Sequence, residues 1–244
     1  RGSGGGKRDP AAAERVAWRE MKSAAIFKLS HVAEVGGKRR VLITKHVVCM
    51  PAGTDPVAFG RKVEFEARRM GMMQAKSVYV VMDGGTYLWN IFDDRFATIA
   101  EGTLDYYHAT EHLGALAEAL LPDDEPARKA WLSERCRKLK RYGAKTLLGV
   151  LDAREGEGRW DEKTVQRETE YFMRHKDHMD YLRQRRLGRP IGSGAVESLC
   201  AQLQGRFKRC GQFWSTGGLE GFVKAYTWYV NGELDHCYAE TVSA

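Results

Sequence analysis

An unbroken apolar run that ends in a carboxylate and two glycines is the feature that most constrains this fold. Val78 to Met82 are five consecutive apolar residues, and Asp83, Gly84 and Gly85 follow at once. Such a run, rich in valine and bounded by turn residues, predicts a strand that is buried on both faces. Glycine permits the backbone angles of a tight turn, so the chain is expected to turn directly after Asp83. Asp83 is therefore predicted at the carboxyl end of a central strand, where open α/β sheets usually bind ligands.

The segments before this strand alternate between β-rich and helical patterns. Residues 17–30 and 40–50 are β-rich and enclose Gly36 and Gly37, which predicts a hairpin with a long connection. A helix is predicted next from its cap, its apolar positions at helical spacing and its terminal glycine: Thr54 or Asp55, then Phe59, Val63, Ala67 and Met70, then Gly71.

Helices dominate the chain after the strand. Residues 86–97 form an amphipathic pattern, and a second apolar step then ends in Asp105. The helix that follows is expected to stop before Pro122, and residues 125–187 are almost wholly helical in pattern. Two further helices are predicted after residue 194. This order predicts an α/β core with a helical subdomain inserted late in the chain.

Four segments follow from these patterns. Residues 1–16 are predicted to be a flexible basic linker, and residues 17–122 the first part of the core. Residues 123–190 are predicted to form the helical insertion, and residues 191–244 the helices that complete the core. The linker is rich in glycine, but it has neither a preceding strand nor the Gly-Lys-Ser/Thr ending of a phosphate loop, so it is not predicted to bind phosphate in that way.

Charge and cysteine content narrow the class of partner and compartment. The net charge is +7 and the sequence pI is about 9.1, which favours an anionic partner, most commonly nucleic acid. The 5 cysteines are odd in number and contain no CxxC pair, so reduced thiols in the cytoplasm are expected rather than disulfides or a structural zinc site. No apolar stretch approaches the roughly 20 residues of a membrane span, so no membrane partner is expected.

Three acidic residues lie where they can meet. Asp83 and Asp105 each end an apolar strand, and Glu197 opens a late helix. Neighbouring parallel strands place their carboxyl ends on one edge of a sheet, and a helix packed there can point Glu197 at the same edge. Clustered carboxylates repel one another, and a hard divalent cation relieves the repulsion. Two such ions can activate water and stabilise the leaving oxygen of a phosphodiester.

Each of these acids also has a structural interpretation. Asp83 belongs to an Asp-Gly pair, which is a common turn signal. Glu197 in a first helical turn is favoured by the helix dipole. Asp105 can start a turn or support His108. Taken one at a time, these interpretations outweigh the functional one.

A histidine pair lies within one helical turn of the second acid. His108 and His112 are four residues apart and share a helix face with metal-ligand spacing, and Glu111 lies between them. The order His-x-x-Glu-His is the reversed zincin pattern, so a zinc hydrolase is one hypothesis. No third ligand is evident, and histidines that are hydrogen-bonded near the acidic site and support it are the favoured interpretation.

Basic residues gather in helices near aromatic side chains. A nucleic-acid binding surface needs positive side chains to contact the phosphates and aromatic rings to stack with the bases. Most runs of charged residues, however, are simply the solvent-exposed face of a helix. The predicted DNA-binding residues are Arg135, Arg137, Lys138 and Lys140, and then Arg206, Lys208, Arg209 and Trp214.

The combination of motifs is more specific than its parts. It runs from Val-Val-Met-Asp83-Gly-Gly-x-Tyr-Leu-Trp89 to Leu104-Asp105-Tyr-Tyr-His108-Ala-x-Glu-His112-Leu, then Gly192-Ser-Gly-Ala-Val-Glu197-Ser198, and then Arg206-x-Lys208 and Gly211-Gln-Phe-Trp214. In this order it resembles bacterial insertion-sequence transposases of the DDE type, above all the ISKra-like group and its Mutator-like relatives. The resemblance covers nearly the whole chain.

The resemblance implies an RNase H-like core with a helical insertion before the final catalytic helix. The second catalytic Asp of the family falls on Asp83 and its Glu on Glu197, 114 residues later. Asp105, His108 and His112 match a characteristic family motif. The implied chemistry is cleavage of transposon ends by activated water and attack of the freed 3′ hydroxyl on target DNA. It uses Mg²⁺ or Mn²⁺, with two ions in the complete enzyme, and works as a homo-oligomer on DNA in the bacterial cytoplasm, at the nucleoid.

One departure from the family opens an alternative. The first catalytic Asp of the family lies on the first core strand, but the only Asp before residue 55 is Asp9, in the glycine-rich linker. The first strand and the N-terminal DNA-binding region are therefore expected outside this chain, which would then be inactive or weak alone. The alternative is a catalytically dead, DNA-binding or domesticated transposase remnant.

Overall fold

The structure is a computed structural model, and it describes residues 21–37, 39–51, 53–144, 161–208, 211–212 and 214–235. Within these ranges the chain has a mixed α/β fold. The strands are β1 (Lys22–Ile26), β2 (Val32–Val35), β3 (Arg39–Leu42), β4 (His46–Met50), β5 (Val78–Met82) and β6 (Ala100–Leu104). The helices are α1 (Pro56–Arg69), α2 (Thr86–Arg95), α3 (Tyr106–Leu120), α4 (Glu125–Tyr142), α5 (Glu162–Arg174), α6 (Tyr181–Arg186), α7 (Gly194–Phe207) and α8 (Thr216–Asn231). Among the described helices, none has both the length and the apolar character for crossing a membrane. The predicted linker, residues 1–16, lies outside the described residues.

The strands form three pairs in the described part. β1 pairs antiparallel with β4, β2 pairs antiparallel with β3, and β5 pairs parallel with β6. The parallel register aligns Val78 with Ala100 and Met82 with Leu104. This register brings the carboxyl ends of β5 and β6 to the same edge, and the site described below lies there.

The predicted hairpin is correct in its outer pairing but wrong in its detail. β1 and β4 do pair, but residues 40–50 divide into two strands, and the inner one belongs to a separate hairpin, β2–β3. Gly36 and Gly37 have φ angles of 63° and 75°, which allow a tight turn between the inner strands. The backbone N–H of Ile43 then donates to the carbonyl of His31 at 2.8 Å and closes the inner hairpin.

β5 lies where the apolar run predicts it, but it is less buried than expected. Only Met82 is buried, and Val78, Tyr79, Val80 and Val81 are half-buried. A strand buried on both faces needs layers and neighbours on all sides. In the described part of the chain β5 has β6 as its strand partner, and its other edge has none.

Helix α1 begins and ends as its sequence signals predict. The Asp55 carboxylate accepts a hydrogen bond from the Ala58 N–H at 3.0 Å, and Pro56 occupies the first turn. Gly71 follows the helix with a φ of 90°, a left-handed conformation that glycine adopts without strain.

Two hydrophobic clusters hold the elements together. The larger joins β5, β6, α2 and α3 to the predicted insertion, which contributes Leu139, Val165, Phe172 and Met179. The insertion therefore packs its apolar residues into the same core as the sheet. The second cluster joins β4, α7 and α8 through Val47, Cys49, Leu199, Leu203, Val223 and Tyr226.

A buried carboxylate connects α1 to β4 and α8. Glu66 is buried and lies within 3.1 Å of the His46 ring, while Lys62 and Arg69 donate to its oxygens at 2.8 Å. Arg69 also pairs with Glu233 after α8. Burial alone would raise the pKa of Glu66, but the hydrogen bonds from Lys62 and Arg69 outweigh it and hold the pKa below the ordinary value.

Replacing Glu66 tests this connection. A carboxylate with a lowered folded-state pKa stabilises the fold above its unfolded pKa of 4.5, and the contribution is lost as the pH falls through and below that value. We expect Glu66→Gln to lower the free energy of unfolding at pH 7 by about 1–3 kcal/mol. The stability curve of the variant should also be flatter than wild type between about pH 5 and 3. Urea denaturation measures both effects. Glu118→Gln, at an exposed position on α3, is the matched control.

Candidate active site

Asp83 and Asp105 lie side by side at the carboxyl edge of the parallel pair. Each follows the last residue of its strand, and these last residues, Met82 and Leu104, are aligned. The hydrogen-bond ladder continues one step further, because the Asp105 N–H donates to the Met82 carbonyl at 2.8 Å. The structure thus brings two of the three predicted acids to one edge.

The Asp105 carboxylate is buried and fully engaged by backbone groups. One oxygen, Oδ1, accepts from the N–H groups of Tyr107 at 2.7 Å and His108 at 3.3 Å, so Asp105 caps α3. The other oxygen, Oδ2, accepts from the N–H of Ser193 at 2.7 Å. The residue is only 2% exposed. These contacts are those of a structural cap, with an added bond to a loop 88 residues away.

Glu197 is tied to Asp105 through one serine. The Ser193 hydroxyl donates to Glu197 Oε1 at 3.0 Å, and the Ser193 N–H is the group that Asp105 accepts. The same loop is held by the Tyr106 N–H, which donates to the Ile191 carbonyl at 2.8 Å. Glu197 itself is exposed in the first turn of α7. The third predicted acid is therefore linked to the sheet edge by a short path of hydrogen bonds.

The close packing of the Ser193 loop explains a glycine in its motif. A methyl group at position 192 would lie 2.5 Å from the ring of Tyr107, closer than such carbons approach other atoms. Glycine lets the loop pass this ring and reach Asp105 without displacing the Tyr107 side chain.

Asp83 is exposed, but hydrogen bonds from Gly85 and Trp89 hold the turn that contains it. Its Oδ1 accepts from the Gly85 N–H at 2.7 Å, and its backbone carbonyl accepts from the indole N–H of Trp89 at 2.9 Å. The local Asp-Gly turn suggested by the sequence is thus present. The Asp83 carboxylate is exposed to solvent, whereas the Asp105 carboxylate is buried.

A layer of aromatic and histidine side chains lies under the Asp83 turn, and sequence analysis missed most of it. His112 stacks on Tyr171 with ring centroids 3.6 Å apart, and its Nδ1 lies 2.5 Å from Glu168 Oε2. The ring of His175 lies 5.0 Å from that of Trp89. Glu168, Tyr171 and His175 are spaced by three and four residues, so they share one face of the insertion. This helical spacing was the signal in the sequence from which the shared face could have been predicted.

Burial disfavours the charged forms of two groups of this layer. It raises the pKa of the Tyr171 hydroxyl, and the nearby charges of Asp83 and Asp105 raise it further. Burial also lowers the pKa of His175 to about 4, with added repulsion from Arg174 and His178. The neutral rings place an apolar floor beneath the exposed Asp83 carboxylate.

The two histidines predicted to support the acidic site, His108 and His112, have different carboxylate partners. His108 Nδ1 lies 3.3 Å from Glu111 Oε2, whereas His112 pairs with Glu168. The two histidine rings are 5.0 Å apart in an edge-on arrangement. The zinc hypothesis requires a common ligand set, and within the described ranges no three His, Cys, Asp or Glu side chains are grouped to hold a metal ion.

The predicted DNA-binding residues lie on two helices. On α4, Arg137 is exposed, Lys138 pairs with Glu134, and the ammonium of Lys140 lies 5.0 Å from the ring centre of Tyr106. The Arg135 guanidinium lies 5.4 Å from the Trp131 ring, also on α4.

The second predicted group is at the end of α7. Arg206 lies over the Tyr226 ring at 5.3 Å, and Lys208 is exposed. The Trp214 indole donates to the Phe207 carbonyl at 3.0 Å. Arg209 lies outside the described residues. Cations next to aromatic rings are thus present in both groups.

No protein-family model, curated protein or solved structure matches this chain.

Removing the Asp105 carboxylate should destabilise the fold more than removing an ordinary cap. Asp105→Ala leaves three backbone N–H groups without their acceptor in a buried place, and we expect a loss of about 2–3 kcal/mol in urea denaturation. Asp124 caps α4 through a single bond from the Ala127 N–H and is exposed. Asp124→Ala should therefore cost less than about 1 kcal/mol. Equal losses in the two variants would contradict the linking role of Asp105.

Proposed function

We propose that this chain is the catalytic domain of a DDE-type insertion-sequence transposase, an enzyme that cleaves DNA and transfers strands. The observation that carries the proposal is the pair of exposed carboxylates, Asp83 and Glu197: Asp83 directly follows β5 at the sheet edge, and Glu197 is linked to the same edge through Ser193 and buried Asp105. Exposed carboxylates can reach a phosphodiester, and a fixed link between them holds their geometry. The motifs that contain Asp83, Asp105 and Ser193 with Glu197 lie at this edge or are hydrogen-bonded to it, which supports the proposal.

The strand pattern supports an RNase H-like core. In the described residues β5 and β1 each have one strand partner and one edge without a strand. Helix α1 packs against β1, β4 and α2, so it joins the β1–β4 pair to the helix that follows β5. We propose that a further strand, carrying the first catalytic Asp of the family, completes the sheet beside β5.

The donor chemistry at the edge fits one hard divalent cation. Mg²⁺ is usually held by one or two carboxylates together with waters and substrate phosphates. Asp83 and Glu197 are exposed oxygen ligands of this kind and would hold the ion. A second ion needs a further carboxylate, because both Asp105 oxygens already accept backbone hydrogen bonds. When bound, Mg²⁺ or Mn²⁺ supplies positive charge against the negative charge that develops on the phosphate oxygens.

The remaining residues act by holding this arrangement. Asp105 fixes the Ser193 loop, and the Ser193 hydroxyl orients the Glu197 carboxylate. Trp89 holds the backbone of Asp83 through its indole N–H. In this proposal Asp105 is a positioning residue rather than a third carboxylate that contacts the reacting atoms.

The basic helices supply the nucleic-acid contacts in this proposal. The exposed cations of α4, such as Arg137, and Lys208 after α7 pair with phosphates. Trp214 and the neighbouring rings offer surfaces for stacking with bases. Transposon ends and target DNA are the proposed partners, with a homo-oligomer assembled on DNA in the bacterial cytoplasm.

A second function is favoured by one specific observation. The third acid of the edge, Asp105, has both oxygens occupied by backbone N–H groups, and the described residues contain no group of three metal-binding side chains. A DNA-binding remnant without catalysis would keep the basic helices and this structural cap.

Nicking of supercoiled plasmid with Mn²⁺ separates the two functions. We expect weak nicking by the wild-type chain and a loss of at least about 100-fold in Asp83→Asn and in Glu197→Gln, because each removes a proposed metal ligand. Asp123→Asn, on an exposed loop, is the control. Efficient nicking by Asp83→Asn would falsify the catalytic assignment. DNA binding without metal-dependent nicking would favour the remnant.

The salt dependence of DNA binding tests α4. Each phosphate contact contributes about 0.9 to the slope of log affinity against log salt for duplex DNA. Arg137→Gln should lower the slope by about this amount, and fluorescence anisotropy at several salt concentrations measures it. Arg68→Gln, where the native side chain pairs with Glu64 on α1, should leave the slope unchanged. An unchanged slope in Arg137→Gln would place the DNA path elsewhere.

A further inference from the structure

The turn after Asp83 packs against one aromatic ring from the predicted insertion. A methyl group at position 84 would lie 2.2 Å from Cε2, 2.6 Å from Oη and 2.7 Å from Cζ of Tyr171. These distances are well below any real contact of a Cβ atom, so the Tyr171 ring occupies the place where a side chain at position 84 would be. Glycine at position 84 is therefore required by the Tyr171 ring and not by the backbone, because its φ angle lies outside the left-handed region.

The Tyr171 ring is itself held by His112, which contacts the buried carboxylate of Glu168. His112 on α3 stacks against it with an angle of 17° between the ring planes. The His112 ring bonds to Glu168, which is 2% exposed and also accepts from Arg167 at 2.8 Å. Glu168 and Tyr171 belong to α5, so the contact joins α3, α5 and the Asp83 turn.

The hydroxyl of Tyr171 is not what anchors the contact. Its oxygen is buried and has no hydrogen-bond partner among the residues that the structure describes. The ring therefore acts by shape, and a phenylalanine ring of the same outline would serve equally well.

The turn needs such a contact because its own restraints are few. Gly84 and Gly85 have the widest backbone freedom of any residues, and the Asp83 carboxylate is exposed. A single rigid ring beside Gly84 removes alternative turn conformations. His175, four residues after Tyr171, packs beside Trp89, which holds the Asp83 carbonyl.

We propose that Tyr171 is a positioning residue for Asp83: the insertion sets the geometry of the acidic edge by pressing this ring against Gly84. The inference rests on the function proposed above. Docking of α5 then becomes a condition for a competent site, because a displaced ring leaves the two-glycine turn free to move Asp83.

A double-mutant cycle between positions 84 and 171 tests the contact. Mn²⁺ affinity is measured by titration calorimetry on the metal-free chain, and the half-saturating Mn²⁺ concentration of plasmid nicking is measured in parallel. We expect Gly84→Ala and Tyr171→Ala each to weaken Mn²⁺ binding by about 10-fold or more. Gly84→Ala added to Tyr171→Ala should cost less than about 2-fold, because the obstructing ring is gone.

Two further variants separate shape from hydrogen bonding and from general effects. Tyr171→Phe should bind Mn²⁺ within about 2-fold of wild type, since only an unpartnered hydroxyl is lost. Gly114→Ala on α3 is the glycine control, because a methyl group there meets nothing within 4 Å. Tyr171→Leu replaces Tyr171→Ala in the cycle if the alanine variant fails to fold by circular dichroism.

A spectroscopic measurement on the metal-free chain reports the conformation of the Asp83 turn directly. The ¹⁹F NMR signal of 5-fluorotryptophan at Trp89, assigned with Trp89→Phe, should shift in Gly84→Ala and Tyr171→Ala but stay in place in Tyr171→Phe and Gly114→Ala.

The outcomes distinguish this proposal from the function on which it rests. Intact Mn²⁺ binding and an unshifted Trp89 signal in Tyr171→Ala would overturn the positioning role alone. Additive losses in the double mutant would do the same. Absence of Mn²⁺ binding and nicking by the wild-type chain would instead overturn the proposed function.

Discussion

The buried carboxylate of Asp105 is the interaction on which the arrangement of the site depends. It accepts three backbone N–H groups, two from the start of α3 and one from Ser193 before α7. A buried carboxylate without such partners would be costly, so the fold is stable only when the loop before α7 reaches the end of β6. The same requirement brings Glu197, far along the chain, to the edge that carries Asp83. One residue therefore joins the sheet, the capped helix and the final acidic helix.

The acids of the edge divide their roles by exposure. Asp105 is buried and saturated with hydrogen bonds, whereas Asp83 and Glu197 are exposed and available to a ligand. The floor beneath Asp83 comes from α5, through Tyr171, so the predicted insertion is part of the site and of its core. The two glycines after Asp83 therefore make different contributions to the site. Gly85 donates the N–H that orients the carboxylate, and Gly84 leaves room for the ring.

Local signals predicted the elements of the fold well. The apolar run predicted β5, and the cap at Asp55 with a glycine stop predicted α1, because both depend on neighbours in sequence. The division of residues 40–50 into two strands was missed, because their pairing depends on a turn and on a distant partner, β1. The same limit applied to the site: Asp83, Asp105 and Glu197 were candidates by position, but Glu168 and Tyr171 gain their roles only by docking.

The sequence by itself determined the mixed α/β class, the strand that ends at Asp83, the helix capped at Thr54 or Asp55 and the helix that follows Asp105, since hydrophobic periodicity and capping act over a few residues. Only the tertiary structure decided that Asp105 is a buried link rather than an exposed acid. It alone also decided that His112 pairs with Glu168, and that Tyr171 lies against Gly84. Burial and partner choice depend on which segments meet across the core, and residues 84 and 171 meet only because two helices pack there.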